Sequence, residues 1–297
     1  NVLAIIIGLA YVITKRKSAL KYAFFLFIFF SILEIGLRIF SYPLKTYNEK
    51  IGLRGYISMY AASSDSWYKR CEPNSVMVRE QNEFSSKRIA NDLGLFTLNV
   101  NEIDHSKYKI LCLGDSFTEG VGASIDSSWP ALLDQKLNLA YPDSFVIINA
   151  GISGSDVFYE WKLYTDKISA YEPDEIIFFT GGSDLEDVIL RGGDSRFASD
   201  STIYQKQAPR IEYLFAASFI TRFVMLSIFD YNFNLLNQKE YEIAKSAACI
   251  SIKNKLEAIA SSANKKIRVF VFPVPKEVML KSYYSPCTSE IAQVMKF

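Results

Sequence analysis

Apolar residues form two long runs at the start of the chain, separated by a short basic stretch. Residues 1–13 are too few to cross a bilayer, whereas residues 22–42 are long enough to do so. The basic residues within 14–21 predict that this link lies in the cytoplasm. We therefore expect a partial transmembrane helix, a cytoplasmic link and a transmembrane helix, with the rest of the chain outside the cytoplasmic membrane. A buried core helix is the alternative for 22–42.

Two charged residues interrupt the second apolar run. Glu34 and Arg38 are four residues apart, so they lie on one face of a helix and can form an ion pair. Such a pair lowers the cost of carrying charge close to the membrane boundary. An ion or proton pathway is the alternative interpretation.

A polar, mixed segment without a clear period follows at 43–107. It is interpreted as a linker and lead-in that contains short strands at 75–78 and 94–98. Residues 91–94, Asn-Asp-Leu-Gly, predict a turn.

From residue 108 onward, short apolar runs alternate with helical patterns, which predicts one α/β domain over 108–297. Strands are expected at 109–113, 145–148, 175–180 and 267–272, and helices from 128, from 155 and over 238–264. This alternation predicts a parallel sheet with helices on both faces.

A long excursion at 189–237 contains an apolar patch, residues 213–229. A third membrane crossing there would separate the last strand from the strands it must pair with. The patch is therefore expected to cover the active-site edge or to lie on the membrane surface.

Composition narrows the choice of function. The formal net charge of +1 gives no reason to expect nucleic acid as a partner. The segment 119–122 lacks the Gly-Lys-Ser/Thr of a phosphate-binding loop, and we expect no cofactor and no metal. Of the four cysteines, Cys112 is predicted to be a buried thiol. A disulfide among Cys71, Cys249 and Cys287 is possible but cannot be assigned.

A serine stands where the first predicted strand of the sheet ends. Gly114, Asp115 and Ser116 form a small polar turn directly after that strand. Ligands and catalytic groups collect at the carboxyl ends of strands in open parallel sheets. Ser116 is therefore the candidate nucleophile.

The Gly-Asp-Ser-Phe-Thr sequence over 114–118 resembles the first motif of the SGNH/GDSL hydrolase family. Gly151 and residues 181–184, Gly-Gly-Ser-Asp, resemble the second and third motifs in order, spacing and strand context. Residues 127–133 also resemble membrane-anchored bacterial members. The resemblance implies a three-layer α/β/α sandwich with a flavodoxin-like parallel sheet, anchored in the cytoplasmic membrane of a bacterium.

The resemblance also implies the catalytic roles. Ser116 would be the nucleophile, and the N–H groups of Ser116 and Gly151 would stabilise the oxyanion. Ser183 stands where the family has an asparagine, so a short hydroxyl replaces an amide donor. The residues expected to support these loops are Gly114, Asp115, Gly181 and Asp184.

The family's Asp-x-x-His is absent from this sequence. His105 is the one histidine, and it precedes a strand about 20 Å long that Ser116 follows, so it cannot act as the base. The chain begins without Met, and both ends look cut. We therefore expect an incomplete C-terminus and a chain that is inactive or nearly so as it stands, with little or no turnover, and a true pseudoenzyme as the alternative.

The sequence thus predicts a membrane-anchored, extracytoplasmic serine esterase, acyl hydrolase or O-acyltransferase. Its expected substrate is an O-acyl ester, either a small molecule or an envelope glycan. The alternative is a non-catalytic envelope protein that binds a glycan or a protein partner in the same cleft.

Overall fold

A computed structural model describes residues 6, 17–40, 71–80, 82, 84–197, 214–215, 217–231 and 236–272. The chain divides into two compact units. One consists of Asn1–Tyr60 with Gln207–Tyr241, and the other of Ala61–Lys206 with Glu242–Phe297.

The described helices and strands have the following bounds. The helices are α1 (Lys17–Phe40), α2 (Ser116–Glu119), α3 (Trp129–Ala140), α4 (Val157–Leu163), α5 (Gly182–Arg191), α6 (Phe219–Phe223) and α7 (Gln238–Ser262). The strands are β1 (Val76–Glu80), β2 (Ser85–Ile89), β3 (Tyr108–Gly114), β4 (Phe145–Asn149), β5 (Glu175–Gly181) and β6 (Lys266–Phe272). Wider π-helical turns continue two of the helices, α4 through Tyr164–Ile168 and α6 through Val224–Ile228.

Helix α1 is the part of the first unit that is apolar enough to be a membrane span. Its stretch Leu20–Phe40 is 21 residues long, has a mean hydropathy of 2.2 and buries none of its most apolar window. The helix begins at Lys17, so it extends into the predicted basic link. Apart from Ile6, the predicted partial transmembrane helix at 1–13 lies outside the described residues.

The second unit is built on a parallel four-stranded sheet with the strand order β4-β3-β5-β6. The strand of this sheet that comes first along the chain, β3, lies inside the sheet, and the next one, β4, lies at its edge, as in flavodoxin-like sheets. The predicted α/β fold is confirmed. Strand β3 is buried from Lys109 to Gly114 because it has a neighbour on each side and helices over both faces.

Helices cover the two faces of the sheet. On one face Trp129, Leu133 and Leu137 of α3 pack against a cluster of Ile110, Cys112 and Ile177. On the other face Trp161, at the end of α4, contacts the ring of Phe178. Cys112 is a buried free thiol, as the sequence predicts.

Helix α7 belongs with α4 in this layer, because Lys255 lies over the Phe158 ring at 5.6 Å. Its buried positions include Ile252, Leu256 and Ile259, which the helical pattern predicts.

The lead-in forms a hairpin that the sequence predicts only in part. Strand β1 overlaps the predicted strand at 75–78, although it begins at Val76, and it pairs antiparallel with β2. The strand predicted at 94–98 is wrong, because this segment is a loop. Asn91 holds that loop by accepting the N–H groups of Leu93 and Leu95, so its backbone groups need no strand partner.

Candidate active site

The turn between β3 and α2 presents Ser116. Asp115 caps α2, and its Oδ1 accepts the Phe117 N–H at 2.9 Å. Ser116 is the first residue of α2 and is half-buried, and no described residue hydrogen-bonds its hydroxyl or its N–H. The hydroxyl and the adjacent N–H are therefore both available to a ligand.

Gly114 is required by the tightness of this turn. A Cβ at this position would lie 2.9 Å from the Phe179 carbonyl oxygen and would overlap the Thr118 hydroxyl. The sequence predicts a supporting role for Gly114, and sterics supply the reason.

The loop after β4 packs directly against α2. A Cβ on Gly151 would overlap the backbone of Thr118 and Glu119, so only glycine lets the two backbones approach this closely. The Gly151 N–H, which the sequence predicts as an oxyanion donor, donates to Oδ1 of Asn149 at 3.0 Å. The structure thus places Gly151 beside the nucleophile helix with its N–H already paired.

The loop after β5 reaches the same place. Asp184 is buried and accepts the Gly181 N–H at 3.0 Å together with the Thr180 hydroxyl. Ser183 donates its hydroxyl to Oδ2 of Asp115 at 2.8 Å. Because a serine hydroxyl carries one proton, Ser183 has no second one to offer an oxyanion in this arrangement.

Three loops therefore meet at the carboxyl edge of the sheet, and they bring together every site residue that the sequence singles out. His105 is not among them. It precedes β3, is half-exposed and lies 3.8 Å from the Glu172 carboxylate just before β5, which is the opposite edge of the sheet. The sequence argument against His105 as the base agrees with this position.

Glu119 of α2 binds residues of two other segments of the site, which the sequence does not predict. Its buried carboxylate accepts the N–H of Ser153 at 2.7 Å and the Ser153 hydroxyl, which links α2 to the loop after β4. Arg79 of the hairpin lies 2.9 Å from the other carboxylate oxygen. This arrangement joins residues of three separate segments, and no local pattern predicts it.

Arg88 of β2 holds the segment after α2. Its guanidinium donates to the carbonyl oxygens of Glu119, Gly120 and Ala123. Burial lowers the pKa of Arg88, and the Glu119 carboxylate opposes that effect. The hairpin is therefore part of the frame of the site.

Acidic side chains are concentrated beneath the three loops. Asp156 is paired bidentately with Arg196 at 2.7 and 2.8 Å, and it also caps α4. Glu160 is 2 % exposed and accepts the Ser155 hydroxyl at 2.8 Å, while its Oε2 has no hydrogen-bond partner among the described residues. Burial, followed by the charge of Asp184, raises the pKa of Glu160 well above its ordinary value. Burial also raises the pKa of Asp184.

An aromatic row lies beside Ser116. The Phe117 ring is 4.6 Å from the Phe272 ring, which stacks on Phe179 at 5.1 Å, and Trp129 follows at 5.2 Å. Gly181 leaves room for the Phe272 ring, which a Cβ would strike. Phe117 is 57 % exposed, so this row offers an apolar surface directly next to Ser116.

Two cavities open elsewhere on the unit. One, of about 740 Å³, lies over the apolar sheet face at Ile110, Ile177 and Phe270, and the other, of about 690 Å³, lies between α3 and β4. Neither is lined by Ser116, so the chemistry of the serine, and not cavity size, locates the site. Among the described residues, no cluster of three or more His, Cys, Asp or Glu side chains could hold a metal ion.

Comparison with known proteins identifies the family of this chain. The sequence profile of the GDSL-like lipase/acylhydrolase family matches residues 112–295. No curated protein sequence matches the chain. Similar solved structures include a lipase/acylhydrolase from Enterococcus faecalis, with 16% identity over 64% of this chain and 70% of that one, at a TM-score of 0.34.

Two further similar structures are esterases. The acetylxylan esterase Axe2 from Geobacillus stearothermophilus is 15% identical over 64% of this chain and 72% of that one, with a TM-score of 0.34. The SGNH-hydrolase family esterase AlinE4 is 18% identical over 66% of this chain and 100% of that one, with a TM-score of 0.28. Because the family profile matches more than half of the sequence, this chain belongs to the GDSL-like lipase/acylhydrolase family.

Proposed function

We propose that the protein is a membrane-anchored, extracytoplasmic serine esterase that acts on O-acyl esters, with acylated envelope glycans as the substrate class. The observation that carries this proposal is the state of Ser116. Its hydroxyl and N–H have no hydrogen-bond partner within the described part of the chain, at the point where the three loops meet. Transfer of the acyl group to another hydroxyl, instead of to water, would use the same site.

The reaction would proceed through an acyl-enzyme. The Ser116 oxygen attacks the ester carbonyl, and its proton passes through a base to the alcohol that leaves. A water molecule then attacks the acyl-enzyme, which releases the acid and returns the proton to Ser116. The Ser116 N–H is positioned to receive the oxyanion, and the Gly151 N–H can join it by leaving Asn149. Since His105 lies at the far edge of the sheet, no histidine of these 297 residues accepts the proton, and we expect slow turnover from them.

The aromatic row supports an ester with an apolar or ring-shaped group. Phe117 follows the nucleophile in sequence and presents its ring to solvent, backed by Phe272. An acyl chain or the apolar face of a sugar ring can lie against such a surface, since both bury carbon there.

A disulfide supports the extracytoplasmic location. Cys249 is disulfide-bonded, whereas Cys71 and Cys112 are free. Structural disulfides persist in oxidising compartments and are rare in the cytoplasm. Peptide mapping without reductant should recover a disulfide-linked peptide that contains Cys249. Its absence from protein isolated from the envelope would remove this support.

The direct test of the activity is acyl release from an activated acetate ester and from an O-acetylated glycan. Wild-type protein in detergent should release acetate from both, slowly but above the rate of the Ser116→Ala variant. Equal release by the two proteins would remove Ser116 from the reaction.

A second candidate function is non-catalytic binding of an acylated glycan in the same cleft. It is favoured by two internal hydrogen bonds, from Ser183 to Asp115 and from Gly151 to Asn149, which occupy two predicted oxyanion donors. In that case wild-type and Ser116→Ala proteins would bind the glycan equally well, and neither would release its acyl group.

A further inference from the structure

A carboxylate on α1 binds the start of α6. Oε1 of Glu34 accepts the Phe219 N–H at 2.9 Å, and Oε2 accepts the Ile220 N–H and the Ser218 hydroxyl, both at 3.0 Å. These are the backbone donors that the first turn of a helix leaves unpaired. Glu34 therefore fixes the position of α6 on α1.

Arg38 adds to this contact, and Arg222 braces the segment of α6 from within. Arg38 donates to Glu34 at 2.8 Å, as the four-residue spacing predicts, and also to the Ala217 carbonyl oxygen at 2.8 Å. Arg222 is 1 % exposed, lies 4.3 Å from the Phe219 ring centre and donates to the Phe215 carbonyl oxygen. Glu34 and Arg38 thus bind polar groups of the segment that contains α6, although the Arg38 side chain itself is 52% exposed.

The position of Glu34 along α1 sets the depth of this contact. Glu34 precedes Phe40, the last residue of the apolar span, by six residues. This corresponds to about 9 Å along a helix axis. If α1 crosses a bilayer with Phe40 at the boundary, the groups that bind Glu34 must lie at that depth too. A carboxylate at such a depth needs these partners, because lipid supplies none.

The outward surface of the segment 214–229 is apolar. Its exposed large side chains are Leu214, Phe223, Ile228 and Phe229, and its described charged residue, Arg222, is buried. Helix α1, against which it packs, is likewise apolar and exposed.

We propose that segment 214–229 is a second membrane contact, which lies among the headgroups and upper acyl chains at the Phe40 end of α1. Interfacial helices bury an apolar face to about 5–10 Å in this way. The inference rests on the proposed anchoring by α1. It adds a second attachment to the membrane, which is held on α1 through the hydrogen bonds of Glu34.

Fluorescence quenching in proteoliposomes tests this inference on the whole chain. Each of three variants, Phe229→Trp, Phe29→Trp and Tyr141→Trp, adds one tryptophan to the chain. The fluorescence of that tryptophan is the difference between the variant and the wild-type protein. Phe29 lies in α1 and is exposed, and Tyr141 is an exposed residue after α3. The lipids carry bromine either close to the headgroup or close to the end of the acyl chain.

We expect the tryptophan of Phe229→Trp to lose most of its fluorescence with the shallow bromines and less with the deep ones. The tryptophan of Tyr141→Trp should keep its fluorescence in both. Quenching of Phe29→Trp without quenching of Phe229→Trp would overturn the inference and leave the anchor intact. If neither is quenched, the anchoring and the inference both fail.

Discussion

Oδ2 of Asp115 accepts the hydroxyl of Ser183 at 2.8 Å, so the residue beside the proposed nucleophile Ser116 binds the residue that stands where the family motif has an asparagine. The other oxygen of the same carboxylate caps α2. Ser183 thus contributes to the shape of the turn, and its proton is withdrawn from the space in front of Ser116. The exchange of asparagine for serine therefore has a structural consequence as well as a chemical one.

Restoring the amide should increase the rate of any acyl transfer at Ser116. A missing oxyanion donor costs about 3 kcal/mol, or roughly 100-fold in rate. We expect Ser183→Asn to accelerate hydrolysis of an activated acetate ester by about 10- to 100-fold. The control Ser183→Ala should give no gain, because it supplies no donor. Equal rates for Ser183→Asn and Ser183→Ala would show that no oxyanion forms near this position.

Breaking the buried ion pair of Asp156 and Arg196 should lower the free energy of unfolding far more than breaking an ion pair at the surface. Both side chains are almost fully buried, so Asp156→Asn leaves an uncompensated guanidinium in the interior. Breaking such a pair costs about 3–5 kcal/mol. The matched control is Asp194→Asn, which removes the partner of Lys255 at a carboxylate that is 61 % exposed. Loss of an exposed pair costs about 0–1 kcal/mol.

Urea unfolding measures this difference directly. The free energy of unfolding should fall by several kcal/mol in Asp156→Asn and by much less in Asp194→Asn. Similar losses in the two variants would contradict the buried position of the Asp156–Arg196 pair.

Glu160 should make the α/β unit less stable as the pH rises. Burial and the neighbouring charge of Asp184 raise the pKa of Glu160 above its ordinary value of 4.5. At a pH between the pKa of Glu160 in the unfolded chain and its higher pKa in the folded protein, the folded protein holds a proton that the unfolded chain has lost. The free energy of unfolding therefore decreases as the pH rises through this range. The largest slope for one such proton is about 1.4 kcal/mol per pH unit.

The Glu160→Gln variant isolates this contribution, because glutamine keeps the hydrogen bond to Ser155 and cannot ionise. Thermal unfolding from mildly acidic to mildly alkaline pH should show a shallower loss of stability in the variant than in wild type. An unchanged slope would mean that Glu160 already carries its charge in the folded protein.

The sequence predicts the elements that periodicity and turn chemistry determine. The buried run before Gly114 gives β3, and the helical spacing of Ile252, Leu256 and Ile259 gives α7. The four-residue spacing of Glu34 and Arg38 gives their ion pair. In each case the information lies within a few neighbouring residues.

Contacts between distant segments are not predicted in this way. Strand β2, Ser-Ser-Lys-Arg-Ile, has little apolar character, and it is a strand because it pairs with β1. Arg88 holds carbonyl oxygens more than thirty residues away, and Glu34 caps a helix more than 180 residues away. The hydrogen bond of Ser183 to Asp115 likewise depends on the packing of two loops, which neither local sequence specifies.

The central claim is that Ser116 is a nucleophile, and reaction with a fluorophosphonate tests it most directly. Intact mass and peptide mapping should show one phosphonyl group on wild-type protein, attached to Ser116, and none on Ser116→Ala. Equal labelling of the two proteins, or no labelling of either, would contradict the account.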